Sequence, residues 1–199
     1  MTKPNTRELT RSDLLSLEQY HEQRPEIRAA TMAHKKSRNL PVGPNVTLYF
    51  EDAITLKYQI QEILRAEKIF DAEGINEELE VYNAMLPTGT NWKATMMIEF
   101  VDVNERIAAL AKLIGIDRKA WVQVEGFDKV FAISNEDLDR ETEEKTSAVH
   151  FMRFELNPEM IAAVKKGAEI SVGIDHENYN HSVSPVPDNY RQALANDLS

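Results

Sequence analysis

The sequence predicts an α+β fold, a mostly antiparallel sheet with N-terminal helices packed on it. Three observations carry this. Helix-period segments come first, strand-period segments gather later, and two of those strands, AWVQVE and KVFAIS, flank Gly126 as a hairpin does. At 199 residues, of which 42% are hydrophobic, the chain suits one domain with a sizeable core. The expected organisation is a flexible tail over residues 1–9, a single α+β domain over 10–181, and an irregular tail over 182–199, where SPVPDN discourages regular structure.

Element by element, Thr10 or Ser12 can cap a helix beginning LLSLEQY, and Pro25 stands where a second helix, PEIRAATMAHKKSR, can start. Leu40-Pro41-Val42-Gly43-Pro44 breaks that helix and leads into a strand, VTLYFE. Asp52 then caps a helix of about 18 residues, 53–70, with Gly74 as its stop. NEELEVYNAML reads as a further helix. From residue 92 the period changes: Trp92, Ala94, Met96, Ile98 and Phe100 alternate with more polar neighbours, which is a strand with one apolar face. NERIAALAKLIG is a helix stopped by Gly115. AVHFMRFEL and AEISVGID are strands, joined by a short helix with Pro158 in its first turn.

Composition narrows the chemistry. There is no cysteine, so thiolate nucleophiles, disulfides and cysteine-held metal centres are excluded for this chain alone. The net charge of −10 and pI near 5.0 disfavour binding to phosphate backbones, so no nucleic-acid partner is expected. No apolar run approaches the roughly 20 residues that span a bilayer, and MTKPNTRELTRSD has no apolar core of a secretory signal. A cytoplasmic protein without a membrane partner is the expectation. Neither a glycine-rich phosphate loop nor a nucleophile elbow is present. The basic knot His34-Lys35-Lys36-Ser37-Arg38 reads as a helix C-terminus, where cations suit the dipole. The acidic stretch 135–146 reads as a solvated helix or loop, with a lid or partner surface as the alternative.

Two constellations are chemically suggestive. His150 and His176 fall on the apolar faces of their strands, and antiparallel pairing of those strands brings the two rings together. With Glu62 or Glu99 they would form a His/carboxylate site for a divalent metal (iron, manganese or zinc) or for acid–base work. The bland alternative is a pair of core histidines bonded to backbone or carboxylate. The second constellation is a polar pocket between the 53–70 helix and the polar face of the sheet. Tyr58, Glu62 and Arg65 lie on one helical face, with Glu62–Arg65 readable as a plain surface pair. Lys93, Glu99, Arg153 and Glu155 lie on the strand face. Both signs of charge would suit a small anionic metabolite.

The same segments carry a resemblance. LTRSDLLSLEQYHEQRPEIRA, YQIQEILRAEKIF, GTNWKATMMIEF, EKTSAVHFMRFEL and GIDH, spread over residues 8–182, resemble the bacterial DUF3501 family of uncharacterised proteins. Tyr58, Glu62, Arg65, Glu99, His150, Arg153, Glu155 and His176 lie in those blocks, and no role is attached to any of them there. The resemblance implies iron–sulfur or rubrerythrin-like proteins as company, hence a link to iron or peroxide-stress systems. Three readings follow: an accessory protein with a His/carboxylate site, a non-catalytic assembly partner of such a redox protein, and an enzyme or binder for a small anionic metabolite.

Overall fold

The computed structural model describes residues 7–199 and is α+β, with its strands in two antiparallel sheets. The expected flexible tail lies outside the described residues except for residues 7–9. There Leu9 is buried, and Asn83 bonds both its backbone N–H and its carbonyl.

Helix α1 (Leu17–Lys35) is one continuous helix, not two. Ser16 caps it, accepting from the Gln19 N–H, and Thr10 serves only a short 3-10 turn at Arg11–Asp13. Pro25 is tolerated inside α1 because it sits on the exposed face, where water can meet the carbonyl left without its partner. The chain then forms the hairpin β1 (Asn39–Pro41) and β2 (Val46–Phe50). Its turn uses Gly43 at φ 77°, where a Cβ would strike His181 and Tyr179 at 2.6 Å. Pro41 is on the edge strand, where its missing N–H costs no ladder bond.

Helix α2 (Ala53–Glu67) stops short of the predicted 18 residues because Lys68 turns left-handed at φ 57°. Gly74 is therefore not the stop; it lies in the first turn of α3 (Ala72–Asn83), which Asp71 caps. Strand β3 (Asn91–Ile98) follows, then α4 (Val103–Lys112), a 3-10 turn at Ile116–Lys119, and β4 (Ala120–Val124). KVFAIS is not one strand. β5 (Val130–Phe131) pairs with β4 in the second sheet, and β6 (Ile133–Ser134) pairs in the first. The chain changes sheets at Ala132, whose N–H donates to Ala120 O.

Strand β7 (Val149–Glu155) lies between β3 and β6, completing a first sheet ordered β1-β2-β3-β7-β6. Helix α5 (Pro158–Lys165) buries Met160, Ile161 and Val164 and carries the chain across to β8 (Ile170–His176). The second sheet is ordered β5-β4-β8-β9, with β9 at Tyr179–Val183. The tail expected to be irregular contains the end of β9 and a helix, α6 (Asp188–Asn196). Pro187 immediately precedes that helix, so the prolines initiate it rather than forbid it.

The inner faces of both sheets feed one apolar cluster: Trp92, Met96 and Phe154 from the first sheet, Val122, Ile170 and Val172 from the second. The alternation predicted for β3 has this cause. A second, smaller cluster is entirely helical at its centre, with Leu56, Ile60 and Leu64 of α2 against Leu79 of α3, Leu86 and Leu9. The outer face of the first sheet looks toward these helices. Among the described residues no helix is long and apolar enough to cross a membrane.

Candidate ligand-binding cavity

The two histidines do not meet as neighbours in one sheet. β7 and β8 belong to different sheets, because α5 moves the chain between sheets instead of returning it alongside β7. His150 is fully buried. Its Nε2 faces the Ser147 carbonyl at 2.9 Å, which can only accept, so Nε2 carries the proton. Nδ1 then accepts from Asn135 Nδ2 at 2.9 Å. His176 follows the same logic: Nε2–H donates to Ile114 O at 3.0 Å, and Nδ1 accepts from the Asn178 N–H at 3.1 Å. Each ring is a neutral tautomer whose lone pair already has an N–H donor.

The carboxylates proposed to join them are elsewhere. Glu62 takes a two-pronged bond from Arg24 of α1 at 2.7 and 2.8 Å, plus the Tyr20 hydroxyl at 2.7 Å, and not its expected neighbour Arg65. The Arg24 guanidinium, with further help from the Tyr20 hydroxyl, pulls the Glu62 carboxyl down to about 2, outweighing partial burial. Glu99 accepts from Thr47 Oγ1 at 2.9 Å and Tyr49 Oη at 3.4 Å at an exposed strand end. Among the described residues, no three His, Asp or Glu side chains converge in a way that could hold a metal ion.

Burial of the His150 ring pushes its pKa below 6.5, with Asp117 and Glu141 opposing and Arg140 assisting. The unfolded chain therefore takes up the proton first. His150 contributes stability that is complete above the unfolded value and is lost as pH falls through 6.5 toward the folded one. Denaturant titrations between about pH 5 and 8 are expected to show this acid loss in the parent and not in His150→Asn; an identical pH slope in both proteins would refute it.

The second constellation fares differently. The outer face of the first sheet and the helices above it flank a half-open cavity of about 840 Å³, within the range of small-molecule sites. Strand alternation supplies its floor: Tyr49 from β2, Lys93, Thr95 and Met97 from β3, and Val149, Phe151 and Arg153 from β7. Thr55 and Gln59 of α2 and Val81, Tyr82 and Met85 from α3 and its C-terminal end close it from above. The acidic segment is a largely exposed loop, as the solvated reading expects, and its Glu136, Asp137 and Arg140 reach the cavity wall as members of ion pairs.

Most charges in the wall are compensated. Arg153 binds both oxygens of Glu136 at 2.9 and 3.1 Å and Glu155 at 2.6 Å. Arg140 binds both oxygens of Asp137 at 2.6 and 2.7 Å and lies 4.5 Å over the Phe151 ring. Two groups differ. Lys93 is half-buried and donates to Ala84 O at 2.5 Å, yet it forms no ion pair among the described residues. Burial and then the nearby Arg153 charge push its pKa down, against the opposing charges of Glu136 and Glu155. Glu51 is 4% exposed. Its carboxylate accepts from Thr55 Oγ1 at 2.5 Å, Gln59 Nε2 at 3.1 Å and Thr95 Oγ1 at 3.0 Å, all neutral donors.

A buried ionic cluster fixes the backbone beneath Glu51. Arg38 is 1% exposed. It donates to Phe50 O at 2.8 Å, to Glu51 O at 3.0 Å and to both oxygens of Asp197, and it lies 3.3 Å from Asp52. Asp52 caps α2 through the Ile54 and Thr55 N–H groups and meets His34 Nε2 at 2.6 Å. Against the penalty of burial, the His34 bond and the Arg38 charge hold the Asp52 carboxyl below its ordinary value. Burial drives Asp197 up to about 6 despite Arg38. The basic knot does end α1, as predicted, but its last residue points inward.

Of the residues expected to line a ligand site, Lys93 and Arg153 line this cavity. Glu155 stands behind Arg153 as its partner. Tyr58 turns toward α1, 3.5 Å from Arg28 and beneath Lys35, and Arg65 is exposed. Glu51, Gln59 and Arg140 escaped the sequence reading. Glu51 directly precedes a helix cap, and nothing in its spacing marks it as buried.

Fold and site together define a two-sheet α+β protein with a small-molecule-sized cavity between one sheet and a helical layer. The chain belongs to the family described as protein of unknown function (DUF3501), whose profile matches residues 8–198. A crystal structure described as a novel protein of unknown function from Burkholderia pseudomallei K96243 is 45% identical. It superposes with a TM-score of 0.92, covering 97% of this chain and 100% of that one. No curated protein matches the chain.

Proposed function

We propose that this protein is a cytoplasmic binder of a small, mainly apolar organic anion, held in the cavity above the first sheet. The observation that carries this is Lys93. It is a half-buried ammonium in a wall of Met97, Phe151, Val81 and Met85, with a carbonyl as its hydrogen-bond partner, while Arg140 and Arg153 have carboxylates and Lys35 lies over the Tyr58 ring. A lysine holds three donors, so two remain for a ligand acid. This reading is better supported than the His/carboxylate one, because Lys93 has unspent donors and a cavity to serve, whereas the lone pairs of His150 and His176 are already engaged.

The test is a thermal-shift and calorimetric screen of aliphatic and aromatic carboxylates against the parent and Lys93→Met. A ligand present at a hundred times its Kd is expected to stabilise the parent by about 2.7 kcal/mol. Lys93→Met is expected to weaken binding about tenfold or more, the worth of a charge-assisted bond. Carboxylates that bind both proteins equally would refute the role of Lys93.

A further inference from the structure

Glu51 and Lys93 carry a second message. The β2–β3 ladder ends at the pair Phe50–Ala94, and one step further the Glu51 N–H donates to Lys93 O at 2.9 Å. The two residues therefore face each other across the strands and share the outer face of the sheet. Facing positions in antiparallel strands have Cβ atoms only about 5 Å apart. Opposite charges there ordinarily pair. Here they splay: Glu51 turns toward Thr55, Gln59 and Thr95, and Lys93 turns away to Ala84 O. Among the described residues no ion pair reaches either side chain, and both line the cavity. The buried Arg38 guanidinium beneath lends its charge to Glu51 without pairing directly with the carboxylate, whose hydrogen-bond donors are all neutral.

From this splayed pair we infer that the cavity takes a zwitterion: an apolar α-amino acid whose ammonium meets Glu51 and whose carboxylate meets Lys93. The inference rests on the anion-binding reading above and adds the ligand's second charge. An α-amino acid carries one charge of each sign, one for each of these two lining groups. Both Glu51 oxygens are anchored by neutral donors, with acceptor capacity left on Oε1, which holds a single bond. The apolar body then lies among Met97, Phe151, Val81 and Met85. Arg140, stacked on Phe151 and neutralised by Asp137, forms wall and does not compete for the acid.

Matched probes test this on the full chain by calorimetry and protein-detected NMR. The probes are leucine with 4-methylpentanoate, and phenylalanine with 3-phenylpropanoate; each pair differs only in the ammonium group. The zwitterion of at least one pair is expected to bind about tenfold more tightly than its deaminated counterpart. In Glu51→Gln that ratio is expected to fall to near one. In Lys93→Met both members of the pair weaken. If Glu51→Gln fails to fold, the ratio in the parent protein decides. Deaminated probes that bind as tightly as the zwitterions would overturn the zwitterion while leaving the anion reading standing. Zwitterions whose advantage survives in a folded Glu51→Gln would overturn the role of Glu51. Failure of every probe to bind would overturn both.

Discussion

Arg38→Met is expected to cost about 3–5 kcal/mol of folding stability, the usual result of removing one partner from a buried ionic group. The methionine fills much of the volume but leaves the Phe50 and Glu51 carbonyls without their donor and Asp197 without a cation. The loss should depend on pH. Asp197 has a folded value near 6, above its ordinary 3.8, so its contribution to stability is complete below 3.8 and is lost as pH rises through 6. Without Arg38 the ionised form becomes costlier still. Urea titrations should therefore show a larger deficit at about pH 7 than at about pH 5. Adding Asp197→Leu to Arg38→Met should recover part of the deficit, since an uncompensated charge then leaves the core. A deficit under about 1 kcal/mol, or one independent of pH, would mean that the cluster is held by packing and not by charge.

Trp92→Ala is the second large effect, expected at about 3–5 kcal/mol. The side chain is fully buried between the sheets, and its indole N–H donates to Leu194 O at 2.8 Å, the contact that ties α6 to β3. Alanine removes the ring from the centre of the sandwich and orphans that carbonyl. Trp92→Phe keeps much of the ring and loses only the bond, so about 1–3 kcal/mol is expected. Hydrogen exchange supplies the discriminating reading: α6 amides should lose protection in both variants, more than amides of β8 do in Trp92→Phe. Uniform loss across the domain in Trp92→Phe would show that the indole bond does not hold α6 in particular.

What could be read from sequence follows from period and caps. The alternation through Trp92–Ile98 places Trp92 and Met96 inward and Lys93 and Thr95 outward, so period alone puts Lys93 on the face that the cavity occupies. Arg153 is placed on that face in the same way. Sheet membership was less legible. His150 and His176 each have the expected inward position on their strands, but strand period says nothing about which sheet a strand joins. A connector of helical length is compatible with either choice. Arg38 and Glu51 were missed for a related reason: both sit at element ends, where no period applies. Their burial depends on Asp197, Thr95 and Gln59, which are far apart in the chain. Pro25 shows the same limit from the other side, since its local preference to start a helix yields to Ser16 capping nine residues earlier.

The interior is divided into two apolar clusters, one between the sheets and one among the helices, and the cavity is lined from both, by Phe50, Ala94 and Met152 of the first and by Tyr82 and Met85 packed on the second. An occupant there would act as mortar. Its apolar body would touch Phe151 and Met97 on the sheet side and Val81 and Met85 on the helix side, adding dispersion contacts to both. Occupancy would therefore be reported less by movement in the sheet than by stiffening of the C-terminal end of α3, which otherwise leans on the sheet through Lys93 and the Ala84 carbonyl.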